Sequence, residues 1–338
     1  MKTVMLPGLI DPHVHLRDPG ATHKEDFETG MKAAVAGGFV FVLDMPNNPE
    51  PTITKEALEK KKQLVKEKAV CDVGFIFGAI PDNTSEFQKV INDVYGLKVY
   101  MDTTTGNLLI EEQKTLENIF DKWPSSKPIV VHAEGRTMNH AIDLAKKFNK
   151  KLHIAHLSQK SELIRVIEEK EKGLPITCEA TPHHLFLTEK DAKRLGPYGL
   201  MKPPLRKQSD VDFLWKHIDA IDCIATDHAP HAREEKESEK PPFGVPGLET
   251  SVPLMLTAVH EGKIPIDEVI RLMHVGPRRI FGMHVSTDSY IEVDEDAEYT
   301  IENKNLFTKC GWSPFDGMKV KGRVIRTVIR GKEVYKYY

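Results

Sequence analysis

The strongest constraint on what this chain can fold into is an alternation. Short apolar runs rich in β-branched and aromatic residues occur at 4–16, 39–45, 72–79, 97–101, 128–132, 152–157, 176–179 and 223–226. Between most of them lie amphipathic stretches rich in Lys and Glu, such as 55–68, 111–120, 137–148 and 160–170. Strands joined through helices run parallel, because the helix carries the chain back to the edge where the next strand starts. Eight such strands imply a sheet closed on itself, so the expected fold class is α/β, a TIM (β/α)8 barrel. An open doubly wound sheet is the competing arrangement. It usually carries a Gly-rich phosphate turn after its first strand, and here that position reads Asp11-Pro12-His13-Val14-His15.

From about Tyr290 onward the pattern changes to strand-like alternation, as in 323–330, punctuated by turn signals at Asp316-Gly317 and Gly331-Lys332. This predicts a small C-terminal β appendage packed on the barrel, with the barrel over 1–285 and the appendage over 286–338. The first barrel strand is expected to begin almost at Met1, so the whole 4–16 run is assigned to the barrel. The most loop-like stretch is 232–247, which holds a charge run and Pro241, Pro242 and Pro246. No internal repeat is visible.

Composition narrows the function. A formal net charge of -3 gives no electrostatic footprint for nucleic acid or an anionic membrane. No apolar run reaches membrane-spanning length, and the N-terminus has no signal-peptide pattern. Cys71, Cys178, Cys223 and Cys310 are scattered without knuckle or redox spacing, which fits a reducing, cytoplasmic compartment. What remains is small-molecule chemistry. The fifteen histidines cluster beside the apolar runs rather than on charged helical faces.

His13 and His15 end the first run. Residues i and i+2 of a strand point to the same side, so both imidazoles can face the barrel axis. Lys98 lies in the otherwise apolar run Gly96-Leu97-Lys98-Val99-Tyr100. A lone buried ammonium is costly, so this lysine should be paired, neutralised or modified. His132, His156 and Asp227 fall at the ends of three further runs. All these groups lie at the C-terminal ends of strands, where barrel active sites are built. Imidazoles with one carboxylate suit Zn²⁺. Six such groups exceed one tetrahedral ion and match two, provided an anion bridges them. A Lys98 carboxylated by CO₂ would be that bridge. Two close metals would polarise a carbonyl and acidify a water, and Asp227 would shuttle a proton between that water and a leaving nitrogen.

The stretch Pro7-Gly8-Leu9-Ile10-Asp11-Pro12-His13-Val14-His15-Leu16-Arg17-Asp18-Pro19-Gly20 resembles the signature of class I dihydroorotases. Asp227-His228-Ala229-Pro230-His231 resembles their second signature, and Met45-Pro46-Asn47 and Pro246-Gly247-Leu248-Glu249-Thr250 fit as well. The resemblance runs from Leu6 to about Lys332. It looks closest to the dihydroorotase domain of the multifunctional pyrimidine-synthesis protein of animals, as in Pro182-His183-His184-Leu185-Phe186-Leu187 and Pro277-Arg278-Arg279-Ile280-Phe281. It implies reversible cyclisation of N-carbamoyl-L-aspartate to L-dihydroorotate in pyrimidine biosynthesis. It also implies a binuclear zinc site: His13, His15 and Asp227 on one ion, His132 and His156 on the other, carboxylated Lys98 between them. Arg17, Asn47 and His231 would hold the free carboxylate, joined at the substrate by Lys202, Phe243 and Gly244, with Thr104 on a catalytic loop over 102–106. An Arg fork matches a carboxylate bidentately, in keeping with that role for Arg17.

Three positions depart from the animal domain. Ala155 stands where it has a cysteine tied to a third zinc, so that ion does not carry over. Glu179, which touches that zinc there, is retained and is expected among or beside the metal ligands. Lys202 replaces an arginine, and Thr105 replaces a phenylalanine. Two other readings stand beside the main one. A hydantoinase, dihydropyrimidinase or allantoinase would share the metals, but Arg17 and Asn47 favour an acidic substrate. An inactive dihydroorotase-like scaffold for aspartate transcarbamoylase should have lost metal ligands, and all six are kept. A homodimer and an association with aspartate transcarbamoylase are further expectations, with no interface marked in the sequence.

Overall fold

The computed structural model describes residues 2–124 and 126–337. An eight-stranded parallel sheet forms the centre, built in chain order from β2 (Leu9–Val14), β3 (Phe39–Asp44), β4 (Asp72–Gly78), β5 (Gly96–Tyr100), β6 (Ile129–His132), β7 (Leu152–Ile154), β8 (Ile176–Ala180) and β9 (Cys223–Ile224). Each pairs with its neighbours in sequence. The ring closes where Val14 bridges His228 in parallel and the His15 amide donates to the His228 carbonyl at 2.8 Å. Strands β2, β3 and β5 are buried at every residue. Both faces of a barrel strand are covered, one by the interior and one by the helices.

The helices follow the expected pattern. Lys55–Lys68 is capped by Thr54, whose hydroxyl accepts the Ala57 amide, and it buries Leu58, Val65 and Lys61, the last paired with the buried Asp44 at 2.5 Å. Phe27–Ala36 starts from a capping box made by Asp26 and Thr29. Among the described residues no helix is long and apolar enough to cross a membrane.

The 4–16 run is not one strand. It divides at Gly8 into β1 (Thr3–Pro7) and β2, and β1 leaves the barrel to pair antiparallel with β10 (Tyr290–Thr300). Gly8 permits the break because a Cβ there would lie 2.6 Å from Val40 Cγ2. β10 pairs with β11 (Lys319–Ile329), and β11 with β12 (Lys332–Lys336). The appendage is therefore a four-stranded antiparallel sheet in the order β1-β10-β11-β12. Residues 3–7, assigned above to the barrel, belong to this sheet. The long β10–β11 connection carries Cys310, Trp312 and Phe315 into a second apolar cluster with Leu187, Met201, Leu205, Val245 and Leu254, beneath the loops that follow β8 and β9.

Candidate active site

The mouth of the barrel at the C-terminal strand ends gathers His13, His15, Arg17, Asn47, Lys98, Thr104, His132, His156, Lys202, Asp227, Phe243 and Gly244 around one pocket. Every residue named from the sequence lies there except Glu179 and His231, which stand directly behind it. Arg17, His156 and Asp227 adopt left-handed backbone conformations (φ 64°, 37° and 47°). Such values are uncommon outside glycine and gather at functional sites.

Two donor groups converge. In the first, the ligand atoms of His13, His15 and Asp227 lie within 4.8 Å of one another. Asp227 Oδ1 is 3.1 Å from His15 Nε2 and 3.5 Å from His13 Nε2. In the second, His132 Nδ1 and His156 Nε2 are 2.9 Å apart. Lys98 Nζ lies 3.4 Å from His13 Nε2, and among the described residues no carboxylate pairs with it. Burial lowers His15 to about 4 and His132 to about 3, and takes His156 well below its ordinary value, so the imidazoles are neutral and offer lone pairs. Burial works to raise Asp227, but His13 and the hydrogen bond with His15 outweigh it and hold the carboxyl well below the usual range. Burial lowers the Lys98 amine to about 8.

These residues fit a divalent metal centre. Imidazole nitrogens and a carboxylate are the donor set zinc takes. Among the described residues His132 Nε2 and His156 Nδ1 are buried without a hydrogen-bond partner, an arrangement that a protein otherwise avoids. Glu179 supports the first group from behind. One of its oxygens pairs closely with His13 Nδ1, while the other is 3.0 Å from His153 Nε2. Because His13 Nδ1 faces this carboxylate, Nε2 is the nitrogen turned toward the pocket. His153, Glu179 and Cys223 form a separate buried group of donor type on the far side of His13.

The other wall of the pocket is cationic. Arg17 Nε donates to the Pro230 carbonyl at 3.0 Å, and its NH2 lies 3.1 Å from His231 Nε2. Lys24 Nζ is 3.2 Å from His231 Nδ1, and His231 Nε2 is 2.9 Å from the Phe243 carbonyl oxygen. The tautomer with its proton on Nε2 satisfies the Lys24 and Phe243 contacts, and the Arg17 guanidinium, itself a donor, then packs against His231 without a hydrogen bond to it. Asn47 Oδ1 is 2.6 Å from His15 Nδ1, while Asn47 Nδ2 donates to the Thr105 carbonyl at 3.1 Å. Thr105 Oγ1 donates to the Phe243 carbonyl at 2.9 Å, so the loop after β5 crosses the pocket to the loop after β9. Lys202 Nζ lies 5.2 Å above the Phe243 ring.

Tyr100 also lines the pocket, and the sequence reading passed over it. It stands two residues after Lys98 on β5, hence on the same face, and that period-2 relation was the available signal. Among the described residues its buried hydroxyl has no hydrogen-bond partner, and Lys98 Nζ is 5.3 Å from its ring centroid.

A barrel with histidine, aspartate and lysine donors at these strand ends defines a class, and the sequence profile of the amidohydrolase family matches residues 4–334, so the chain belongs to the amidohydrolase family. Within that class it is 38% identical over 344 residues to the dihydroorotase of Pyrococcus furiosus, covering 98% of this chain and 81% of that one. It is 45% identical over 334 residues to the multifunctional protein pyr1-3 of Dictyostelium discoideum, covering 98% of this chain but only 15% of that protein's length. Among solved structures, the L-hydantoinase (dihydropyrimidinase) of Arthrobacter aurescens superposes with a TM-score of 0.94 at 26% identity, covering 99% of this chain and 86% of that one.

Proposed function

We propose that this chain is a dihydroorotase, interconverting N-carbamoyl-L-aspartate and L-dihydroorotate with water released or consumed. The observation that carries this reading is the pairing, in one pocket, of the His13, His15, Lys98, His132, His156 and Asp227 cluster with the Arg17 wall. A metal-type centre alone would serve any cyclic amide. A guanidinium beside it selects a cyclic amide that bears a free carboxylate.

His13, His15 and Asp227 would hold one Zn²⁺, His132 and His156 a second, and Lys98, carboxylated by CO₂, would lie between them. Carboxylation converts the buried Lys98 ammonium and CO₂ into a carbamate, releasing two protons. When bound, the two cations supply polarisation of the scissile carbonyl and acidification of the attacking water. In hydrolysis the Asp227 carboxylate accepts the proton of that water and delivers it to the ring nitrogen as the C–N bond breaks. In cyclisation Asp227 takes the ureido proton and returns it to the departing hydroxyl. Arg17 and Asn47 hold the free carboxylate, with His231 fixing the Arg17 side of the pocket. Thr104 and Thr105 cover the reacting atoms from the loop after β5. Glu179 orients His13 from behind the pocket.

The test is metal analysis combined with assays of both directions. About two zinc ions per chain and turnover of L-dihydroorotate far above that of dihydrouracil are the expected result. Preference for dihydrouracil or hydantoin would replace this reading with that of a hydantoinase. Lys98→Ala is expected to lose most of the activity and part of the metal. Full zinc content in that variant would remove Lys98 from the bridging role.

A further inference from the structure

Lys236 lies in the short helix Arg233–Lys236, inside the charge run of the loop after β9, and its side chain is completely buried. Among the described residues no carboxylate pairs with it; its neighbour Glu235 pairs with Lys24 instead. The Lys236 ammonium donates to three backbone carbonyls: Leu200 at 3.1 Å, Pro242 at 2.9 Å and Gly244 at 3.2 Å. Three N–H groups meet three acceptors, which uses the whole donor capacity of the group. Its remaining side faces the Trp312 ring, 5.5 Å to the centroid.

The three carbonyls belong to the two segments that bring Lys202 and Phe243 to the cationic side of the pocket. Leu200 precedes Met201-Lys202, and Pro242 and Gly244 flank Phe243. The Gly244 amide donates to Leu200 at 3.0 Å, so the segments also touch directly. Gly244 has a φ of 133°, and a Cβ there would lie 2.6 Å from the Ala229 carbonyl oxygen. The Phe243 carbonyl, held between two of the Lys236 acceptors, faces His231 Nε2. Trp312 reaches in from the β10–β11 connection and its Nε1–H donates to the His231 carbonyl at 2.8 Å. The ammonium and the indole thus fix opposite ends of one His231–Phe243 contact.

Burying an ammonium without a counter-charge is costly, and an apolar side chain would fill the same space at a lower cost. The return is geometric: among the described residues one backbone hydrogen bond joins 200 to 244 and no strand ladder joins 200, 242 and 244, whereas the one cation ties all three. We propose that Lys236, roofed by Trp312, is a positioning residue that sets the geometry of the substrate-carboxylate subsite without touching substrate. This rests on the dihydroorotase reading, because the subsite it shapes is the one that reading assigns.

The experiment is steady-state kinetics of Lys236→Met and Trp312→Phe in both directions, with zinc content measured alongside. N-carbamoyl-L-aspartate and L-dihydroorotate carry the same free carboxylate. KM should therefore rise for both by a similar factor, about tenfold in Lys236→Met and less in Trp312→Phe, with kcat within about twofold and zinc unchanged. A general loss of folded enzyme would instead lower kcat and leave KM alone, and that outcome overturns the proposal, as does unchanged KM in both variants. If Lys236→Met does not fold, Trp312→Phe decides by the same split. A wild-type enzyme inactive on both compounds would overturn the dihydroorotase reading itself, and the subsite with it. An active wild type with indifferent variants would overturn this inference alone.

Discussion

Asp227 and Arg17 are both buried charges in one pocket, yet their surroundings give them different work. Asp227 is gripped by His13 and His15, which keep it ionised and able to accept a proton. Asp227→Asn keeps the shape, removes the base, and is expected to abolish turnover in both directions while sparing substrate binding. Rates near wild type in either direction would end its role as proton carrier. Arg17 contacts Pro230 and His231 and none of the donor cluster at hydrogen-bond distance. Arg17→Ala should weaken substrate binding by about 2–5 kcal/mol, the range for a desolvated charge pair left without its partner. That would be read as a raised KM with zinc content intact. The six donor residues were legible in the sequence because strand ends in a parallel barrel all face one mouth. Lys236 was not legible. Its neighbours Arg233, Glu234, Glu235, Glu237, Glu239 and Lys240 make the stretch read as a solvated charge run, and only the packing of a distant connection around Trp312 buries it.

At the scale of elements, the runs at 39–45 and 72–79 became β3 and β4 within a residue, and 55–68 became the helix Lys55–Lys68. The 4–16 run misled because both of its halves are apolar, while the break at Gly8 depends on Val40, which is remote in sequence. The loop after β9 also carries a pH signature. Burial lowers Lys236 to about 8, against an ordinary 10.5. Below pH 8 both native and unfolded chains hold the proton, and the native chain bears the full desolvation cost. Between pH 8 and 10.5 the native chain releases it first, so the unfolded chain binds more protons and stability rises with pH. Relative to Lys236→Met, wild type should therefore gain stability across that window by up to roughly 3 kcal/mol. Denaturant unfolding of both proteins at pH 7.5 and 10 measures it, and a constant difference would refute it.

Across the whole molecule, the appendage sheet joins regions far apart in sequence. β10 lies between β1 and β11, and the connection from β10 to β11 runs under the loops that shape the pocket. Two carboxylates, the buried Glu25 and the half-buried Glu249, fasten that connection to the barrel. Glu249 accepts the Phe307 and Thr308 amides at 2.8 and 3.0 Å, and Glu25 accepts the Thr308 hydroxyl and the Lys309 amide.

The placement of β1 in that sheet has a topological consequence. β1 and β12 occupy its two edges and run in opposite directions. Thr3 is level with Asp294, and Lys336 with Arg326, which itself faces Glu292. Residues 3 and 336 therefore leave the same end of one small sheet, about 16 Å apart given three strand spacings and a two-residue offset along the strands. A Gly/Ser connector of about eight residues spans that gap without tension. A circular permutant joined there, and opened at the exposed turn around Gly173 before β8, should keep the far-ultraviolet circular dichroism and the zinc content of the parent. Loss of both would mean that the order in which the strands are made, and not only their pairing, is needed to close the ring.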